Sequence, residues 1–163
     1  MLLSPDIESS IRDAHIKKEY RPVAVAIIQE NNDKILFVLS AKNQQEWYLP
    51  QGGIHEDENV IGALLRELKE ELDIEPEHVH LIAYVGQEDL DAPSARKEKR
   101  GFSKGKRYFF FLLKYQEDLK KSFTLKREEL ADYRWVEPKN IVEILSTARP
   151  EKKALITRWI SKL

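Results

Sequence analysis

The stretch Gln51–Ile74, QGGIHEDENVIGALLRELKEELDI, joins a glycine pair to a segment with three glutamates inside one and a half helical turns. Asn59 is a good N-cap residue type, and from there to Leu72 apolar side chains recur at helical spacing. At about 100° per residue, Ile61, Leu64, Leu65, Leu68 and Leu72 share one face, and Glu67, Glu70 and Glu71 fall on its neighbour. One face packs and the next presents carboxylates. Repulsion does not forbid the arrangement, since each like-charged pair on a wet helix costs only about 0.2–0.5 kcal/mol. Such a helix can be a solvated surface and nothing more, so its context decides. Gly52 and Gly53 allow backbone to approach the carboxylates closely, and Arg66 supplies an internal counter-charge. Carboxylates at i, i+3 and i+4 can converge on a hard cation, Mg2+ or Mn2+ rather than zinc or iron.

Working outward, PVAVAIIQE (Pro22–Glu30) and KILFVLS (Lys34–Ser40) flank Asn31, Asn32 and Asp33 and read as a hairpin. Further strands are expected at Val79–Gly86, Arg107–Tyr115 and Tyr133–Glu137. Ser4 and Pro5 start a short helix whose Ile7, Ile11 and Ala14 share a face, and Pro138 and Pro150 each open a closing helix. Strands on both sides of a central helix, with helices at the end, predict an α+β sandwich on a mixed sheet.

The 163 residues fit one domain, 1–163, with residues 1–19 as a helical extension. Charged residues make up 34% and apolar ones 42%, as in a soluble globular protein, and the net charge of −1 excludes a global field toward nucleic acid or membrane. The absence of cysteine removes disulfides, thiolate metal sites and a cysteine nucleophile. No apolar run approaches the roughly 18 residues of a membrane helix, so a cytoplasmic protein without membrane partners is expected.

Gly52, Glu58, and the run Arg66, Glu67, Leu68, Lys69, Glu70, Glu71, Leu72, Asp73, Ile74 resemble the Nudix box, G-x5-E-x7-R-E-U-x-E-E-x-G-U, with every charged position matched. Asp73 stands where the motif has glycine. That glycine forms a left-handed cap, which aspartate tolerates, so some local strain around an intact site is expected. Tyr20–Pro22, Trp47–Ile54, Gly105–Phe111 and Glu128–Val136 are similar to the branch holding RNA pyrophosphohydrolases and dinucleoside polyphosphate hydrolases. The resemblance implies a Nudix-type α/β/α sandwich whose central mixed sheet has an antiparallel portion. It also implies a metal-dependent pyrophosphohydrolase acting on a nucleoside polyphosphate or an RNA 5′ end.

By matching position, Glu67, Glu70, Glu71 and Glu129 are the implied metal ligands for Mg2+ or Mn2+. A backbone carbonyl from the Gln51–Gly53 turn completes their shell, Arg66 and Glu58 brace helix to loop, and Glu67 or Glu70 serves as general base. Arg21 is an implied phosphate ligand. The run Arg96–Arg107, RKEKRGFSKGKR, has seven basic residues and one acidic one, and with Tyr108 it could funnel phosphates and stack a base. Lys104, Lys106, Arg107 and Tyr108 are therefore expected to touch substrate, while the alternating members of the run RYFFF are expected to be buried in a core strand. Trp47 and Trp135 read as packing, and His55 and His78 as surface residues. Two other functions compete: hydrolysis of ADP-ribose or nucleoside triphosphates, and a non-catalytic nucleotide-binding module. Retention of Arg66, Glu67, Glu70 and Glu71 weighs against the module, which needs no such set.

Overall fold

Strand β1 (Tyr20–Gln29) is apolar on both sides of its pleat, a pattern that requires both faces of the sheet to be covered. In the computed structural model, which describes residues 4–93, 101–116 and 122–163, both faces are covered. Val23, Val25 and Ile27 point into one apolar cluster, and Ala24, Ala26 and Ile28 into another. Strand β6 (Gly105–Tyr115) lies parallel to β1, in register from Tyr20 opposite Gly105 to Gln29 opposite Lys114. It divides the same way: Tyr108 and Phe110 join the first cluster, Phe109, Phe111 and Leu113 the second.

The sheet order is β3-β2-β1-β6-β5, with β4 (Gln51–Gly53) against β1 and β7 (Leu130–Val136) against β2. Here β2 is Ile35–Ser40, β3 Trp47–Tyr48 and β5 Val79–Asp91, and every pairing except β1–β6 is antiparallel. Helices α1 (Pro5–Lys17) and α2 (Val60–Leu72) bury Ile7, Ile11, Val60, Ala63, Leu64, Leu68 and Leu72 against one face. On the other face, α3 (Ile141–Ile144) and α4 (Pro150–Ile160) contribute Ile141, Leu155, Ile156 and Trp159. The expected α/β/α sandwich on a mixed sheet is the architecture found. Among the described residues, no helix is long and apolar enough to cross a membrane.

Several local expectations change. The hairpin of β1 and β2 is joined at the single pair Gln29–Ile35, beyond which the strands part. The rest of that edge of β1 is taken by β4, with Val23, Ala24 and Val25 opposite Gly53, Gly52 and Gln51, while β2 turns to β3 and β7. The first closing helix is a 3-10 turn, Pro138–Asn140, followed by one turn of α3. Strands β5 and β7 exceed their expected spans because long-range partners, not local composition, fix their ends.

Asp73 takes the left-handed conformation that the missing glycine would have taken, φ 56° and ψ 37°. Its N–H donates to the Lys69 carbonyl at 3.0 Å, and Ile74 N–H to that of Leu68 at 3.1 Å, so the helix end is closed. The Lys69 ammonium bridges the side chains of Asp73 and Glu75, an interaction unavailable to glycine.

Where β5 bulges between Tyr84 and Gly86, a Cβ on Gly86 would lie 2.4 Å from the ring of Trp159, which stacks on Phe110 with centroids 5.1 Å apart. Gly86→Val should therefore undock α4, lowering stability in thermal denaturation by about 1–3 kcal/mol. An unchanged Tm would refute the packing argument.

Candidate active site

Helix α2 is started by Asn59, whose side-chain oxygen accepts the Gly62 N–H at 2.7 Å. With its apolar face on the sheet, Arg66, Glu67, Glu70 and Glu71 are turned toward β4 and a cleft of about 980 Å³. Arg66 is the centre of this arrangement. Its Nε and Nη2 donate to the two oxygens of Glu58 at 3.0 and 2.7 Å, and Nη2 also reaches the Gly53 carbonyl at 2.9 Å. Its Nη1 donates to Glu67 at 2.8 Å and Glu70 at 3.4 Å. Glu58 in turn accepts the His55 N–H at 2.9 Å, which closes the loop. The Arg66 hydrogen bonds hold the Glu58 carboxyl below its ordinary range, and Glu58 chiefly raises the Arg66 guanidinium. A bidentate, charge-assisted fork of this kind fixes direction as well as distance.

Gly52 lies directly under Glu67. A Cβ there would sit 1.9 Å from the Glu67 carboxyl carbon, so only glycine lets that carboxylate rest on β4. Glu71 is half-buried beside Glu67, Glu70 and Glu129. Burial first, and then Glu67 and Glu129, push its pKa up to about 8, with Lys126 acting in the opposite direction. Glu129 reaches this place through backbone bonds. The Lys126 N–H donates to the Glu71 carbonyl at 2.9 Å, the Glu129 N–H to that of Lys126 at 2.9 Å, and the Ala41 N–H to that of Glu129 at 2.8 Å. The segment before β7 is thereby pinned between α2 and β2.

The structure gathers most of the residues singled out in the sequence. Arg21, Gly52, Gly53, Arg66, Glu67, Glu70, Glu71, Lys106, Tyr108 and Glu129 all line the one cleft, with Tyr108 largely buried at its wall. Glu58 stands behind it, bonded to Arg66. Two expected substrate contacts do not line the cleft. Arg107 follows Lys106 in β6 and so points to the opposite face. There it pairs with Asp89 at 2.8 Å and donates to the Ser10 carbonyl at 3.3 Å, docking α1 instead of a phosphate. Lys104 pairs with Glu19 at 3.0 Å. Of the basic run, Arg96–Arg100 lies outside the described residues. His55 lines the cleft mouth, whereas His78 accepts the Glu75 N–H at 2.9 Å and caps a 3-10 turn.

Lys42, Tyr48, Lys126, Arg149 and Lys152 also line the cleft, and the sequence reading missed them. They arrive singly from separate segments. Only Lys126, three residues before Glu129, carried a local signal. The Tyr48 hydroxyl is held well above its ordinary range by burial first, then by Glu71, Glu129 and Glu46, and stays protonated.

The resemblance implies a divalent metal, so the fit of this cluster to a cation matters. The donors are all carboxylate oxygens, which suit a hard ion, and Glu71, raised by burial first and then by Glu67 and Glu129, is a group that a nearby cation would help to ionise. Among the described residues no three acidic groups are drawn together as a ready ligand set, and Arg66 holds Glu67 and Glu70. By charge and chemistry, Glu67, Glu70, Glu71 and Glu129 fit as the residues that would hold an ion.

A family profile described as NUDIX domain matches residues 19–160. An RNA pyrophosphohydrolase of Nitratiruptor sp. is 34% identical over 130 residues, covering 77% of this chain and 83% of the relative. One from Zymomonas mobilis is 30% identical over 158 residues, covering 89% and 97%. Among solved structures, a C. elegans Ap4A hydrolase binary complex aligns over 86% of this chain and 93% of its own, with a TM-score of 0.64 and 18% identity, a likeness of fold.

The strain on Glu71 has a measurable sign. Its folded pKa lies above the unfolded one, so the folded state keeps a proton that the unfolded chain releases. Stability is therefore lost as pH rises from about 4.5 toward about 8. In metal-free buffer Glu71→Gln should raise Tm at neutral pH by about 2–8 °C, with a gap that shrinks as pH falls toward 4.5. Equal melting curves across that window would contradict it.

Proposed function

This chain belongs to the Nudix family and is a pyrophosphohydrolase acting on acid anhydrides, a premise from which we propose an RNA 5′ end or a dinucleoside polyphosphate as its substrate. One observation carries the proposal: a single cleft is lined by six carboxylates, Glu67, Glu70, Glu71 and Glu129 among them, and by seven cationic side chains, Arg66 with Arg21, Lys42, Lys106, Lys126, Arg149 and Lys152. Carboxylates repel a polyphosphate and lysines attract it. A cleft holding both suits a substrate with several phosphoryl groups bound across a divalent cation. The bacterial relatives, RNA pyrophosphohydrolases, favour RNA, and the similarity of Tyr20–Pro22, Trp47–Ile54, Gly105–Phe111 and Glu128–Val136 to a branch that also holds dinucleoside polyphosphate hydrolases keeps the second substrate.

In this reading Glu67, Glu70, Glu71 and Glu129 hold Mg2+, or Mn2+ in its place. The ion, when bound, neutralises phosphoryl oxygens and stabilises charge on the leaving phosphate. The chain's own residues do the rest. Arg66 and Glu58 fix the helix against its loop, and Gly52 seats Glu67. Arg21 and Lys106 bind phosphate from the sheet side, with Tyr108 packing below them. Glu67 or Glu70 takes the proton of the attacking water.

Two experiments test this. Triphosphorylated RNA and diadenosine tetraphosphate are each incubated with and without Mg2+. Cleavage should require the ion, be abolished by EDTA, and fall by at least about 10²-fold in Glu70→Gln. Binding without cleavage would instead identify a nucleotide-binding module. Gly52→Ala, which evicts the Glu67 carboxylate without touching the core, should cost about 10²-fold in turnover while Tm stays within about 2 °C.

A further inference from the structure

Strand β3 contains two residues, and its pleat sends them to opposite faces. Trp47 packs with the cluster under α4, the Arg134 guanidinium 4.7 Å over its ring. Tyr48 packs with the cluster under α2, and its ring ends in the cleft, where Glu71, Glu129 and Glu46 are the charged groups that act on it. Lys152, in the first turn of α4, holds its ammonium 5.3 Å from the centre of that ring and donates to Glu46 at 2.7 Å. Among the described residues the Tyr48 hydroxyl makes no hydrogen bond, although it is half-buried and surrounded by acids. Tyr48 lines the open cleft, so its O–H is available to donate to an oxygen of a bound molecule in place of water.

The geometry points to Tyr48 and Lys152 as a donor pair that holds a phosphoryl oxygen of the substrate in the cleft. This rests on the polyphosphate reading above and adds a site to it. The division of labour follows from charge. The α2 carboxylates cannot contact phosphate directly, so donors must come from other elements. A lysine alone would compete with the cation for those carboxylates. Lys152 is restrained from that by its bond to Glu46 and by the Tyr48 ring. A neutral O–H adds a directed contact without adding charge, so it grips the phosphate without displacing the ion.

The test is calorimetric titration of inorganic tripolyphosphate, with Mg2+ present, into wild type, Tyr48→Phe and Lys152→Met. Tyr48→Phe removes one hydroxyl, so its Tm and its affinity for Mg2+ alone should not change. Both variants should bind tripolyphosphate about three- to tenfold more weakly. Wild-type affinity in Tyr48→Phe, or no tripolyphosphate binding by wild type, overturns the proposal. Hydrolysis assays on the same samples separate the two readings. A wild type that binds tripolyphosphate more tightly than Tyr48→Phe but cleaves no nucleotide supports the donor pair and sinks the hydrolytic substrate. Full cleavage with equal binding does the reverse.

Discussion

The register of β1 is the constraint from which the site hangs. Arg21 lies opposite Lys106, Val23 opposite both Tyr108 and Gly53, and Ala24 opposite both Phe109 and Gly52. One strand thus sets the positions of two cationic side chains and of the glycine that seats Glu67. A slip of one residue would turn every side chain of β1 to the other face. Val23, Val25 and Ile27 would then exchange clusters with Ala24, Ala26 and Ile28, placing large residues where small ones fit beneath α1 and α2. Volume on the two faces of one strand therefore protects the geometry of the cleft.

The site is assembled against the preference of its own charges. Three helix carboxylates and Glu129 line one cleft, and Glu71, half-buried beside them, resists ionisation through burial first and then through Glu67 and Glu129. The fold tolerates this because the burden is local. Leu64, Leu68 and Leu72 anchor α2 from the opposite side, Asn59 caps its start and Asp73 closes its end. Stability resides in one face of the helix, and the other is free to carry a costly chemistry.

Much of this was legible in the sequence, for reasons that are themselves physical. The cap at Asn59, the apolar stripe and the acidic neighbour face of α2 depend on a period of 3.6 residues, which a single helix expresses locally. The two-sided burial of β1 and β6 was visible as unbroken apolar runs. The parting of β1 from β2 was not, because β4 and β7 claim those strands from 26 to 101 residues away. The roles of Lys106 and Arg107 could have been separated by counting two residues at a time from the buried Phe109 and Phe111, a signal present but unused. For Lys42, Arg149 and Lys152 there was no such signal. Isolated lysines and arginines acquire meaning only when distant segments converge. Tyr48 was hidden differently, since in the run WYLP it reads as one more packing aromatic.

The fork of Arg66 carries a last implication. A guanidinium keeps its proton at any pH at which a protein survives, so the strut between helix and loop cannot be switched off from its basic end. Glu58, held in the ionised form by that same partner, resists acid longer than an ordinary carboxylate. That strut therefore keeps its charge in mild acid after ordinary carboxylates have begun to take up protons, and it goes on tying helix to loop while they do.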